Sequence, residues 1–432
     1  MKKKLIMFIA FAMFALVMAG CSGDSSDNAQ NSEDTNTEIN ENSNDNSSNS
    51  GSGEKTVIKF AAQNDNTPAT KKAIEKFNNS QDKYKVEWVQ MTNDSQQMHD
   101  QLLTSLSSGS SEYDVLSMDV VWAGEFAGAG YLEPIDMNMD KAGMKASQFN
   151  SGSMTSGNYK GKQYTLPYFP DLGLLYFRKD IVSKEDAQKL ISGDYTYEEL
   201  GKMAEKYTGK NNTKTGFVYQ SKQYEGLTVN AAEFTSQFEN TKKGLQTMYN
   251  FTKADWTPDD ILSFTEGETH TAFENGNAVF ARNWPYMYGR LKNPEDSGAK
   301  VAVENVNVAP LPNGGAVGGW LLGINANSEK KEGAWEFVKF LAGEKGQKIM
   351  STEGGYLPGY NPLLEDKDVL NSNELLTFKG FKNALQSTIA RPVTPNYSKV
   401  SDTIQVSTHK YLSSGEGLDA AVKKIQSSLS KE

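Results

Sequence analysis

The 432-residue chain has one cysteine, Cys21. An internal disulfide is therefore impossible, and a stapled secreted scaffold is excluded. The body of the chain keeps no thiol that could act as a nucleophile. There are three histidines, His99, His270 and His409, too far apart in sequence to share a metal-ligand spacing. No glycine-rich stretch ends in Gly-Lys-Ser/Thr, so a phosphate loop of that kind is missing. No cofactor is expected. Basic charge is short as well: 44 Lys and Arg stand against 54 Asp and Glu, a formal net charge of −10. An acidic chain with aromatics spread along it is not a nucleic-acid binder. Past the first twenty residues, no run approaches the roughly 20 apolar residues that a bilayer span requires.

What is present begins with a leader. Lys2, Lys3 and Lys4 precede an apolar run from Leu5 to Ala19, shorter than a membrane span. Ala19 and Gly20 then lead directly into Cys21. This step resembles the lipobox of bacterial lipoproteins, with Met18 where leucine is usual. The resemblance implies a signal peptide over 1–20 and a fatty-acylated Cys21 as the new N-terminus. Residues 22–54 are Ser, Asn, Asp, Glu, Gly and Thr with almost nothing apolar. Such a stretch cannot bury enough surface to offset its ordering entropy, so 21–54 reads as a lipidated cysteine and a disordered tether. The anchor would keep the body at high effective concentration near a membrane partner.

The remaining 378 or so residues are too long for one typical domain, and two lobes are expected. Val57–Ala61 reads as a strand. Thr67-Pro68 offers an N-cap and a first-turn proline for a helix carrying Ala73, Ile74 and Phe77. Tyr84, Val86 and Trp88 alternate with charge, as a strand does; Met98, Leu102 and Leu106 keep helical spacing. Tyr113–Met118 is a third strand, and Val121, Trp122 and Phe126 open a third helix. This β-α-β-α-β-α order predicts a parallel sheet with helices on its faces. Later strands are expected at Gly173–Phe177 and Ala278–Ala281. Further helices are expected around Tyr197–Lys206, Leu245–Thr252, Ala334–Leu341 and Leu418–Leu429.

In an open α/β sheet, ligands bind beyond the carboxyl ends of the strands, where Asp119 falls. Its carboxylate can accept sugar hydroxyls or, equally well, cap the next helix. Asp171 lies in Pro167-Tyr168-Phe169-Pro170-Asp171, read as a proline-rich loop where it is a ligand contact or a turn former. Trp284 and Tyr286 in Arg282-Asn283-Trp284-Pro285-Tyr286, and Trp320 in Gly318-Gly319-Trp320, read as loop aromatics. A flat ring beside a few fixed polar groups suits the C–H face of a sugar. Trp335 keeps helical spacing and reads as core. Arg391, before Pro392, would donate to sugar oxygens, hold an acidic partner, or form a surface ion pair.

Taken together, Met118–Trp122, Asp171–Tyr176, Lys222–Leu227, Arg282–Tyr286, Gly318–Trp320 and Arg391-Pro392 resemble, in order, the extracellular sugar-binding lipoproteins of ABC importers, and within them the trehalose/maltose-binding branch. The resemblance runs from about residue 56 to the C-terminus. It implies an α/β, two-lobed clamshell of the periplasmic-binding-protein kind, each lobe a mostly parallel sheet flanked by helices. Lobe one would hold 55–167 plus 309–355, and lobe two 168–308 plus 356–432. It implies a disaccharide or short oligosaccharide in the cleft, delivered by a monomer to ABC permease subunits, with no chemistry performed. Asp119, Asp171 and Arg391 would be polar contacts, Trp284, Tyr286 and Trp320 stacking platforms, and Gly318 a backbone contact. Two positions depart from the branch: Asn66 stands in place of an acidic residue, and Phe169 in place of a tyrosine. Two other readings stay open: a lipid-anchored glycoside hydrolase with two working carboxylates, and the same clamshell around a non-sugar solute.

Overall fold

The computed structural model describes residues 54–65 and 67–430. The leader, Cys21, the tether as far as residue 53, and Asn66 lie outside the described residues.

Eleven strands are described: β1 Thr56–Gln63, β2 Tyr84–Met91, β3 Val115–Asp119, the short β4 Asn158–Tyr159 and β5 Lys162–Gln163, β6 Thr165–Leu172, β7 Leu174–Arg178, β8 Thr215–Val218, β9 Ala278–Asn283, β10 Val306–Ala309 and β11 Val317–Ile324. They form a five-stranded sheet in the order β2-β1-β3-β11-β6, a four-stranded sheet in the order β10-β7-β9-β8, and the β4-β5 hairpin. Each large sheet with its helices makes one lobe of an α/β body.

The opening β-α-β-α-β pattern folds as the periodicity predicts. β1 is parallel to both β2 and β3. Its residues are buried on both faces, which is why the strand reads as a nearly continuous apolar run. Ile58, Phe60 and Ala62 face one layer, shared with Phe77 and Phe337; Ala61 faces the other, shared with Met98, Leu102 and Phe126. Phe337 packs edge-on against Phe60 and Phe77 at 5.2 Å each, joining the helices Ala69–Asn79 and Lys331–Ala342 over the sheet. Trp335 is buried in the same layer, as its spacing predicts. The first helix starts one residue later than Thr67-Pro68 implies, at Ala69. The reason is Asp65: its carboxylate accepts the Thr67 and Thr70 backbone N–H groups at 2.8 and 3.0 Å, and so does the capping from outside the turn.

The sheets are mixed, not mostly parallel. β11 runs antiparallel to both β3 and β6, and β7 runs antiparallel to both β9 and β10; only β8-β9 is parallel in the second sheet. Each lobe thus takes in a strand that returns from the other rather than from a helical crossover of its own.

The lobes are joined where three segments cross side by side. Gly173 donates to the Ala316 carbonyl at 3.1 Å, Val317 to Ile389 at 2.7 Å, and Ile389 to Gly315 at 2.9 Å. Gly173 has no room for a side chain: a Cβ there would lie 2.2 Å from Glu233 Oε1 and 2.6 Å from Arg282 Nη2. Those two residues form a buried ion pair, with Arg282 Nη2 to Glu233 Oε1 at 2.6 Å and Nε to Oε2 at 3.0 Å. Glu233 Oε1 also accepts the Ala316 N–H at 2.9 Å. One carboxylate of the second lobe thereby holds the strand that enters the first.

Candidate functional site

The candidate residues come from both lobes and gather around the carboxyl ends of β3 and β6 in the first sheet. Trp320 on β11 is flanked by Asp119 on β3 and by Phe169 on β6, and Gly318 lies opposite Asp171. Five of the expected residues are thus set by register on neighbouring strands. Trp284 arrives from the other sheet, directly after β9. A Cβ on Gly318 would sit 3.2 Å from the Trp284 ring and 3.5 Å from Asp171 Cβ. Glycine at 318 therefore lets the indole lie close against the backbone beside the carboxylate. Beneath that indole lies the Arg282 guanidinium, 4.0 Å from the ring centroid. Tyr286 opens the helix Tyr286–Lys292 and is 43 % exposed. With Phe169, Asp171, Lys292 and Tyr356 it lines a cavity of about 410 Å³.

Five expectations are corrected. Tyr286 begins a helix and is not a loop aromatic. Asp171 is inside β6, not in a loop before a strand. β6 is the outer strand of its sheet, so Pro167 and Pro170 cost it no ladder bond to a further strand. Gly318 and Trp320 are inside β11, not in a loop. The Gly-Gly pair marks an irregular strand: Gly319 has φ of +90°, and the register to β6 shifts after Trp320. Arg391 is only 7 % exposed, so it is no surface ion pair; its Nη1 donates to Glu225 Oε1 at 2.7 Å. Asp119 is not the helix cap. The helix Ala123–Gly128 is preceded by Trp122, and Asp119 Oδ1 accepts only a turn N–H, from Val121 at 3.1 Å. Trp284 does lie between regular elements, as read from its proline neighbour.

Asp119 and Asp171 differ in electrostatics. Burial pushes the Asp171 carboxyl up to about 7; its own Leu172 N–H and the Arg282 charge oppose this and do not cancel it. Burial raises Asp119 as well, opposed first by Arg391, whose Nη2 is 3.6 Å from Oδ1. Because the folded Asp171 holds its proton where the unfolded chain has released it, its contribution to stability falls as pH rises from about 4 to about 7. Asp171→Asn is expected to remove that slope from urea-unfolding stability measured across this range. An unchanged slope would show that another group titrates there.

Several residues with a part in the site are not among the expected contacts, although Glu225 lies inside the Lys222–Leu227 motif. Glu225, first in the helix Glu225–Phe234, holds Arg391 across 166 residues of sequence. Tyr356 stacks on Phe169, centroids 4.5 Å apart, and donates to Asp65 Oδ1 at 2.8 Å. A phenolic hydroxyl is thus supplied next to Phe169. Burial first opposes the Asp65 charge, but donors from Thr70 and Thr67 hold its carboxyl below the ordinary value. Among the described residues, no group of three or more His, Cys, Asp or Glu is placed to hold a metal ion. No described helix is long and apolar enough to cross a membrane.

Against known proteins, the family model for bacterial extracellular solute-binding proteins matches residues 61–348. A probable ABC transporter-binding protein of Deinococcus radiodurans is 29 % identical over 354 residues, covering 76 % of this chain and 81 % of that protein. A maltotriose-binding protein of Pyrococcus abyssi is 26 % identical over 329 residues, 72 % of this chain and 68 % of its own length. Among solved structures, maltose-bound MalE3 of T. maritima superposes with a TM-score of 0.66 at 28 % identity, covering 87 % of this chain and 99 % of that one.

Proposed function

Since the chain belongs to the bacterial extracellular solute-binding protein family, we propose that it captures a maltose- or trehalose-like disaccharide, or a short malto-oligosaccharide, between its lobes and hands it to ABC permease subunits. It is a binding protein and not an enzyme. The observation that carries the sugar reading is the packing of Trp284 against Gly318 beside Asp171: an aromatic face, a bare backbone and a hydrogen-bonding carboxyl at one point. A sugar ring presents C–H groups to such a face and hydroxyls to such a rim. Asp119, Arg391 and Trp320 extend the site at the carboxyl end of β3, and Phe169 and Tyr286 toward the adjoining cavity. The names of the relatives that bind maltose and maltotriose support the same class. Asn66 would adjust which sugar is preferred.

We take lobe one as 55–172 plus 309–355 and lobe two as 173–308 plus 356–432, acting as a monomer; the first boundary moves from the expected 167 because β6 stays in the first sheet as far as Leu172. A ligand held from both lobes favours the closed form, because only that form makes both sets of contacts. Titration calorimetry against maltose, trehalose and maltotriose, with a product assay on the same samples, tests the function. Binding of at least one sugar without hydrolysis is expected. No binding to any of the three would reject the sugar class, and released glucose would favour a hydrolase.

Anchoring at Cys21 is part of the proposal, supported by the charged leader, the apolar run and the Ala-Gly-Cys step. Cells fed a fatty-acid analogue should label the wild-type protein and not Cys21→Ala. Equal label in both would defeat the anchor.

A further inference from the structure

We propose that Glu225 is a positioning residue of the sugar site, holding Arg391 so that the Nε/Nη2 edge of its guanidinium is offered to the ligand beside Asp119. This rests on the reading of Arg391 and Asp119 as ligand contacts. A guanidinium is planar, with Nε–H and one Nη2 hydrogen on a common edge and Nη1 outside it. Glu225 Oε1 takes the outer nitrogen, Nη1, at 2.7 Å. The forked edge is left nearly unused: Nη2 is 3.6 Å from Asp119 Oδ1, longer than a hydrogen bond, and the buried Nε has no partner among the described residues. A buried donor without an acceptor is costly, and an incoming sugar oxygen would satisfy it. Arg391 would then donate through its edge while Asp119 accepts from a neighbouring hydroxyl of the same ring.

Glu225 is itself held from two further sides. Tyr397 OH donates to Oε1 at 2.5 Å and Ser401 Oγ to Oε2 at 2.6 Å, both from the helix Tyr397–Ser414. Its place at the start of the helix Glu225–Phe234 also favours a negative charge. The carboxylate therefore has two separable jobs, orienting Arg391 and stitching two helices together.

Calorimetry with maltose and maltotriose on four variants separates these jobs. Glu225→Gln and Arg391→Lys should each weaken binding about tenfold or more, roughly 1.4 kcal/mol. Tyr397→Phe and Ser401→Ala each remove one stitching bond but leave the Glu225–Arg391 bond, and should stay within about twofold of wild type. If either weakens binding as much as Glu225→Gln, the role is helix stitching and the proposal is overturned. It is also overturned if Glu225→Gln binds like wild type. Should thermal melting show Glu225→Gln unfolded, Arg391→Lys decides, and unchanged affinity there overturns the proposal. Wild-type protein that binds neither sugar would reject the functional reading and this one with it. Wild-type binding with the wrong variant pattern would reject the positioning role alone.

Discussion

Glu233→Ala is expected to cost about 3–5 kcal/mol of stability in urea unfolding without sugar, the range for breaking a buried ion pair. Both partners are almost wholly buried, at 1 % and 0 % exposure for Arg282 and Glu233. The variant leaves the Arg282 charge without its counter-ion. It also strips the Ala316 N–H of its acceptor at the point where the chain enters β11. Gln220 remains, but its Oε1 is 3.4 Å from Arg282 Nη1 and carries no charge. An exposed pair such as Lys242–Asp419 is the internal control, where the loss should be within about 1 kcal/mol. A Glu233→Ala loss no larger than the control would show that Arg282 finds other compensation. The same variant should also weaken sugar binding, because Trp284 lies directly on the Arg282 guanidinium.

Trp284→Ala and Trp320→Ala are each expected to lose more than ~1 kcal/mol of sugar-binding free energy, by analogy with aromatic anchors at other interfaces. Each indole is fixed on one side and partly exposed on the other. Trp284 packs against Val229, Ala316 and Ile389. Trp320 meets Trp122 edge-on, 5.5 Å apart at 87°. A ring already ordered loses little entropy when a sugar stacks on it. Sugar should also change tryptophan fluorescence in the wild type. Because Trp320 touches the core, its alanine variant needs a melting curve beside the titration, and Trp320→Phe is the milder companion. If both alanine variants fold and bind maltose or maltotriose with wild-type affinity, neither ring is a platform.

The residues differ in how far their sequence neighbourhood foretold them. The first sheet's core was legible. Tyr84, Val86 and Trp88 repeat with a period of two, and Met98, Leu102 and Leu106 with a helical one, each pattern set by a burial face a few residues long. The carboxyl end of β3 placed Asp119 for the same local reason. The candidates on β6 and β11 stand out by residue type and motif, but their neighbours point to the wrong setting. Proline and glycine argue locally for a loop. An outer strand tolerates the prolines of β6, and the register shift after Trp320 accommodates Gly318-Gly319 in β11.

Other features had no local pattern to read. Glu225 and Arg391 meet across 166 residues, and Glu233 reaches Ala316 across 83. Tyr356 finds Asp65 across 291. A hydrogen bond constrains the two atoms that make it and leaves no periodicity in the segments between them. Side-chain spacing thus carried the elements, composition the acidic balance, and motif and residue type the choice of most candidate residues. Chain crossing between the two sheets decided the antiparallel entry of β11, the buried Arg282–Glu233 pair at the junction, and the partners that orient Arg391. These depend on which strands lie side by side, and burial periodicity along one segment does not encode that.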